Sequence, residues 1–238
     1  IRPIYTRLAD HILQIGEQVP DAQPLLRPGE LVIKDINGYR RDANKQPIVD
    51  ENGRFVLTGE PDGLIDDADN VLLGSQDPSW LAGITNTFKY KDFDLNIQLN
   101  GMFGRRMQDP TEMAYGLGGG DLARYGYNAL RKIKDRWTWD NPSTTQPTSF
   151  NGWGNNYTSG DWYYQRAWFI RLTNISFGWT LPKAWIARTK VLSRVRLSLS
   201  ANNLFCITPY KGLDPETDYY AASYPNARTY SMGINVTF

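Results

Sequence analysis

Residues 228–238 alternate without a break. Tyr230, Met232, Ile234, Val236 and Phe238 fall on one face of a strand, and Thr229, Ser231, Gly233, Asn235 and Thr237 on the other. Alternation at a period of two marks a strand with one apolar and one polar side. Four earlier stretches carry the same signal. Residues 80–88 place Ala82, Ile84 and Phe88 on one face. Residues 93–101 set Phe93, Leu95, Ile97 and Leu99 against Asp94, Asn96, Gln98 and Asn100, and 193–205 set Val195, Leu197 and Leu199 against Arg196, Ser198 and Ser200. In 162–181 the phase changes: Ile170 and Leu172 share one parity, and Ile175, Phe177 and Trp179 take the other. That change predicts a bulge near Asn174.

The connections alternate in length. Those at 89–92 and 182–192 are short, whereas 1–79, about 104–160 and 207–227 are long and rich in turn residues. Within 104–160, Asp121 is placed to cap a short amphipathic helix carrying Leu122, Tyr125, Ala129, Leu130 and Ile133. Outer-membrane barrels have short periplasmic turns and longer extracellular loops. Counting back from a periplasmic C-terminus puts every long connection outside. The expected fold is therefore all-β, a transmembrane antiparallel barrel, with 1–79 as an extracellular loop region and 80–238 as C-terminal barrel strands. A soluble β-sandwich, as in a secreted or surface carbohydrate-binding module, is the alternative. Five strands do not close a pore, so a larger barrel is expected, with earlier strands and a plug upstream of Ile1. The start at Ile1-Arg2-Pro3, without an initiator Met, agrees with processing or with a piece of a longer protein.

Composition narrows the functions. The formal net charge of +1 gives no electrostatic footprint for nucleic acid. No run of about 18 apolar residues reads as a membrane helix, which leaves alternating strands untouched. With Cys206 as the only cysteine and His11 as the only histidine, an internal disulfide, a zinc site or a histidine-based triad is not expected. No second carboxylate constellation accompanies the Asp-rich turns, so a glycoside hydrolase ranks last and the chain reads as a non-enzyme. Aromatic residues make up 13% of a chain whose mean hydropathy is -0.50. Trp162, Tyr163, Tyr164 and Trp168 mark one end of the strands and Phe88, Tyr90, Phe93, Trp179 and Trp185 the other, as two membrane girdles would. Trp153 and Tyr157, in a Gly/Asn loop, are candidates for stacking on sugar rings. Asp94, Asn96, Gln98 and Asn100 are candidates for lining the lumen.

Several motifs, in order, resemble the C-terminal portion of SusC/RagA-type TonB-dependent transporters. They are Asp10-His-Ile-Leu-Gln14, Arg27-Pro-Gly-Glu30, Lys34-Asp-Ile-Asn-Gly38 with Asp62-Gly-Leu-Ile-Asp66-Asp-Ala-Asp69, and Tyr90-Lys-Asp-Phe-Asp-Leu95. Further on come Asp135-Arg-Trp-Thr138 with Asn141-Pro142, Phe169-Ile-Arg-Leu-Thr-Asn-Ile175, Asn202-Asn-Leu-Phe205, Tyr210-Lys-Gly-Leu-Asp-Pro-Glu216 and Tyr224-Pro-Asn-Ala-Arg-Thr-Tyr230. The resemblance implies an outer-membrane barrel of about 22 strands in a Gram-negative bacterium, with an N-terminal plug and a SusD-like surface lipoprotein as lid. It also implies import of oligosaccharides or peptides with energy from TonB. The acidic box departs from the family by an insertion, Tyr39 to Pro61. With it removed, Asp35, Asn37, Asp62, Leu64, Asp66 and Asp69 take the ligand positions of an EF-hand-like loop, so calcium is the one expected cofactor. Within the insertion, Pro47–Leu57 predicts a hairpin turning at Asn52-Gly53, which would keep Gly38 and Asp62 adjacent. The bland alternative for the box is an acidic loop satisfied by Asx-turns.

Overall fold

The computed structural model describes residues 2–116, 126, 128–148, 160–189, 191–217 and 224–238. In chain order the strands are β1 (Pro3–Thr6), β2 (Ala9–Ile12), β3 (Leu31–Ile33), β4 (Val71–Ser75), β5 (Trp80–Tyr90), β6 (Phe93–Phe103), β7 (Arg106–Gln108), β8 (Tyr164–Arg166), β9 (Phe169–Thr180), β10 (Arg194–Asn202), β11 (Cys206–Ile207) and β12 (Thr229–Thr237). Short helices α1 (Pro110–Tyr115) and α2 (Lys183–Ile186) sit in connections. The chain divides into two compact units. One is drawn mainly from Ile1–Gln76 and Gln108–Tyr164, the other from Asp77–Met107, Gln165–Asp218 and Ser223–Phe238.

The second unit is a single antiparallel sheet ordered β12-β10-β9-β6-β5, with β11 paired to β9. All five predicted strands are present. Register brings like residues together across the sheet. Tyr90, Phe93, Trp179, Leu197 and Ile234 form one row of neighbours, and Phe88, Leu95, Phe177, Leu199 and Met232 form another. Rows of the opposite parity are polar, for example Thr87, Asn96, Ser176, Ser200 and Ser231. The apolar face is open: Met232 is 77% and Ile234 63% exposed, and Leu199 52%. In a sandwich these side chains would be the core. An all-β membrane wall leaves them for lipid, and the five long strands, of 9 to 12 residues, match the length a tilted transmembrane strand needs.

The predicted bulge lies at Thr173. Gln98 opposes Asn174, and the next residue, Leu99, opposes Leu172. The consequence is a change of side. Uninterrupted alternation from Ile175 would turn Arg171 to the apolar face; the bulge turns Arg171 to the polar face and Leu172 to the apolar one. The long strand expected over 162–181 is interrupted at Ala167, fully buried, whose amide donates to the Arg105 carbonyl at 3.1 Å.

The first unit has its own small core of Ile12, Leu31, Ile33, Trp137 and Tyr163, with Ile65 and Trp162 packed against it. Tyr163 and Trp162 were expected in an aromatic girdle. Instead Tyr163 is only 1% exposed, because a 3₁₀ turn at Asp161–Tyr163 turns it into this core. Gln23 completes the β2–β3 ribbon: its side-chain amide bonds both the N–H and the C=O of Ile33, at 3.1 and 2.7 Å. The helix expected from Asp121 falls mostly outside the described residues; Arg131–Asp135, at its end, is a 3₁₀ turn.

The insertion proves more regular than a hairpin. Arg40 donates to Val56, Val56 to Ile48 and Ile48 to Arg40, at 2.8, 2.9 and 2.8 Å. Three short bridged segments thus close on one another. The first two end in the same turn, Asp42 accepting from Asn44 and Gln46 and Asp50 from Asn52 and Arg54, while after the third Thr58 accepts from Glu60. Short polar side chains that bond the amide two residues on favour such turns, and Lys45, Gly53 and Gly59 supply the left-handed backbone. The ends remain adjacent, Thr58 donating to the Gly38 carbonyl at 2.8 Å and Asp62 to Asp35 Oδ1 at 3.2 Å.

Candidate functional site

On the polar face of the sheet, the predicted lumen residues of β6 engage cross-strand partners. Asp94 receives both arms of the Arg196 guanidinium, at 2.6 and 2.7 Å. The bridge passes directly over Gly178, where a Cβ would sit 2.2 Å from Arg196 Nη2 and 2.6 Å from Asp94 Oδ1. Asn96 donates to Thr87 at 2.8 Å. Gln98 lies opposite Asn174, which donates to Asn202, which donates in turn to Thr229. Asn100 lies opposite Arg171. The four residues thus share one face in a ladder of hydrogen-bonding groups.

Arg171 is the centre of a cluster that residue patterns alone did not single out. It is 5% exposed, and its Nη2 bonds Asp214 Oδ1 at 2.6 Å while its Nε faces Glu216 Oε2 at 3.3 Å. Asp214 Oδ2 accepts the Asn226 amide, and the Asn226 side chain donates to Glu216. Arg105, also buried, donates to the Pro215 carbonyl at 3.3 Å. Buried charges have to be paired and hydrogen-bonded, and here the Ile-Arg-Leu, Asp-Pro-Glu and Pro-Asn-Ala-Arg motifs pair one another. The readable signal was a lone arginine between Ile170 and Leu172. Cys206 lies opposite Arg171 on β9.

In the first unit the other motifs meet. Gly29, at φ +90°, lies against the Trp137 ring, where a Cβ would be 2.4 Å from Cε3. The Trp137 indole donates to Gln14 at 3.2 Å. In the acidic box, Asp69 is fully buried; its Oδ1 accepts the Ile36 and Asn37 amides and its Oδ2 the Asp66 amide. Asp35 accepts from Asp62 and Gly63, Asp62 from Leu64, Asp66 from Ala68, and Asn37 Oδ1 from Gly38 and Gly59. These oxygens organise backbone. Among the described residues, no group of three or more His, Cys, Asp or Glu side chains converges to hold a metal ion. Trp153 and Tyr157 lie outside the described residues.

No family model matches the chain. Curated relatives do. The chain is 29% identical over 254 residues to TonB-dependent receptor P3 of Formosa agariphila, a match covering 96% of this chain and 24% of the relative. It is 26% identical over 213 residues to TonB-dependent receptor SusC of Bacteroides thetaiotaomicron, covering 81% of this chain and 19% of that one. It thus spans about a quarter or less of the relatives it matches. Among solved structures, that of the RagAB peptide transporter superposes with a TM-score of 0.68 at 22% identity, covering 99% of this chain and 23% of its own. In sequence and in fold, the chain is a homologue of the C-terminal barrel portion of SusC/RagA-type TonB-dependent outer-membrane transporters.

Proposed function

We propose that this chain supplies closing wall strands and outer loops of an active importer in the outer membrane of a Gram-negative bacterium. The carrying observation is the sheet itself: strands of membrane length, an open apolar face, and a hydrogen-bonded polar face. The apolar face meets lipid and the polar face meets the lumen. The C-terminus lies in the periplasm, and the long connections, the first unit included, lie outside. The partners are the N-terminal remainder of the barrel with its plug, TonB acting through that part, and a SusD-like surface lipoprotein as lid. Cargo is an oligosaccharide or a peptide, and Trp153 and Tyr157 are candidates to contact it. Nothing in the charge balance calls for nucleic acid, and no step of the reading needs catalysis.

The test is uptake. Cells carrying the full-length protein take up a labelled oligosaccharide or peptide, and lose that uptake when TonB or the lipoprotein gene is deleted. Uptake that survives loss of TonB overturns the reading.

Calcium at the acidic box is a separate proposal. An ion there would share Asp35, Asp62, Asp66 and Asp69 with the backbone amides those carboxylates already accept, through their remaining lone pairs. Calorimetry with Ca²⁺ decides it: heat lost in the Asp66→Ala plus Asp69→Ala variant supports a site, and identical traces remove it.

A further inference from the structure

Beside the Arg171 cluster the second unit holds a half-enclosed cleft of about 270 Å³, lined by Arg171, Asn203, Thr208, Asp214, Asn226 and Arg228 among others. That is room for one sugar ring or one amino-acid residue. The lining carries two cations and one carboxylate, with Glu216 adjoining. The carboxylates are committed: Asp214 to Arg171, the Glu216 amide and the Asn226 amide, and Glu216 to Arg171 and the Asn226 side chain. Arg171 is thereby neutralised and fixed. Arg228 is different. It is exposed, and its guanidinium has no hydrogen-bonding or ionic partner among the described residues. A planar donor fork with no acceptor among the described residues, on a residue that lines the cleft, matches a carboxylate in geometry as well as charge.

We propose that this cleft is a subsite for a carboxylate borne by the cargo, either the terminal carboxylate of a peptide or the uronate of an acidic sugar. Arg228 is the ion-pairing group, and Arg171 is a positioning residue that holds the Asp214–Glu216 wall in shape. The inference rests on the transport reading and sharpens its substrate class.

The test uses the full-length transporter in detergent and two matched pairs of probes: tri-alanine against its C-terminal amide, and tri-galacturonate against its methyl ester. In one pair the acid binds at least tenfold more tightly than its neutral analogue, and that pair names the source of the carboxylate. Arg228→Gln abolishes the difference, whereas Arg228→Lys keeps part of it. The proposal is overturned if neither acid is preferred, or if Arg228→Gln weakens acid and neutral probe equally. Failure of the transport reading looks different: uptake would then ignore TonB, whatever the probes do.

Discussion

At Gly178 the sheet leaves out one methyl group so that two charges can meet. Asp94 and Arg196 bond across it, and their side chains are 27% and 34% exposed, so the pair itself adds at most about 1 kcal/mol. Gly178→Ala forces atoms into the bridge and should destabilise the barrel by about 1–3 kcal/mol, the usual range for overpacking. Urea titration in lipid vesicles measures it. In an Asp94→Ala, Arg196→Ala background the same change should be nearly neutral, a coupling that a double-mutant cycle reads directly. A second residue-scale expectation concerns pH. The hydrogen bond from His11, with help from Lys34, holds the Asp10 carboxyl below its ordinary range. A depressed carboxylate stabilises the fold above its unfolded pKa and loses that contribution as pH falls through the folded value. Asp10→Asn should therefore cost a little stability at pH 7, and the cost should shrink as the pH is lowered through the acid range, when unfolding of the first unit is followed across it. None of this was legible beforehand. Alternation told which face Asp94 takes; it could not tell that its partner lies two strands away.

At the scale of elements, β9 shows what period-two reading can reach. The phase change predicted a bulge near Asn174, and the bulge at Thr173 is what aims Arg171 at Asp214. Removing one partner of a buried pair strands the other charge, at about 3–5 kcal/mol. Arg171→Met should therefore destabilise strongly in thermal unfolding of the full-length barrel, and Arg171→Met with Asp214→Asn should recover part of the loss. The pairing needed residues 171, 214 and 226 brought together by the fold, so local pattern had no access to it. The motifs gave more than their spacing suggested, since Gln14, Gly29 and Trp137 meet in one packed contact. The insertion was half readable: its Asn-Gly turn was visible, the three-way closure was not, because strands this short carry almost no pattern. Since its ends stay adjacent, replacing Tyr39–Pro61 by a two-residue link should leave exchange protection of the Ile36 and Asn37 amides intact. Asp69→Ala should abolish that protection, leaving the part-buried Ile36, Asn37 and Asp66 amides without this acceptor, at roughly 1 kcal/mol each.

At the scale of the whole molecule, everything turns on which side of the sheet meets hydrocarbon. Aromatic groups gather at both strand ends: Trp179 contacts both Phe93 and Trp185 at one, and Phe103 stacks on Trp168 at the other. Ten residues along β6 separate Phe93 from Phe103; at about 3.4 Å per residue and a tilt of 40–45° that is a band of roughly 25 Å, the height of a barrel's apolar belt. A charge on the belt is costly, so Met232→Lys should lower stability by about 2–4 kcal/mol, while Ser200→Lys, facing the lumen, should be tolerated. The most direct measurement places a spin label at each position from 229 to 237 of the full-length protein in lipid vesicles, with Cys206 first replaced by Ser. Accessibility to oxygen dissolved in the bilayer should peak at 230, 232, 234 and 236, and accessibility to a water-soluble nickel complex at the positions between. Labels at 230, 232, 234 and 236 that are shielded from both reagents, as in a protein core, or open to the nickel complex, would contradict the account.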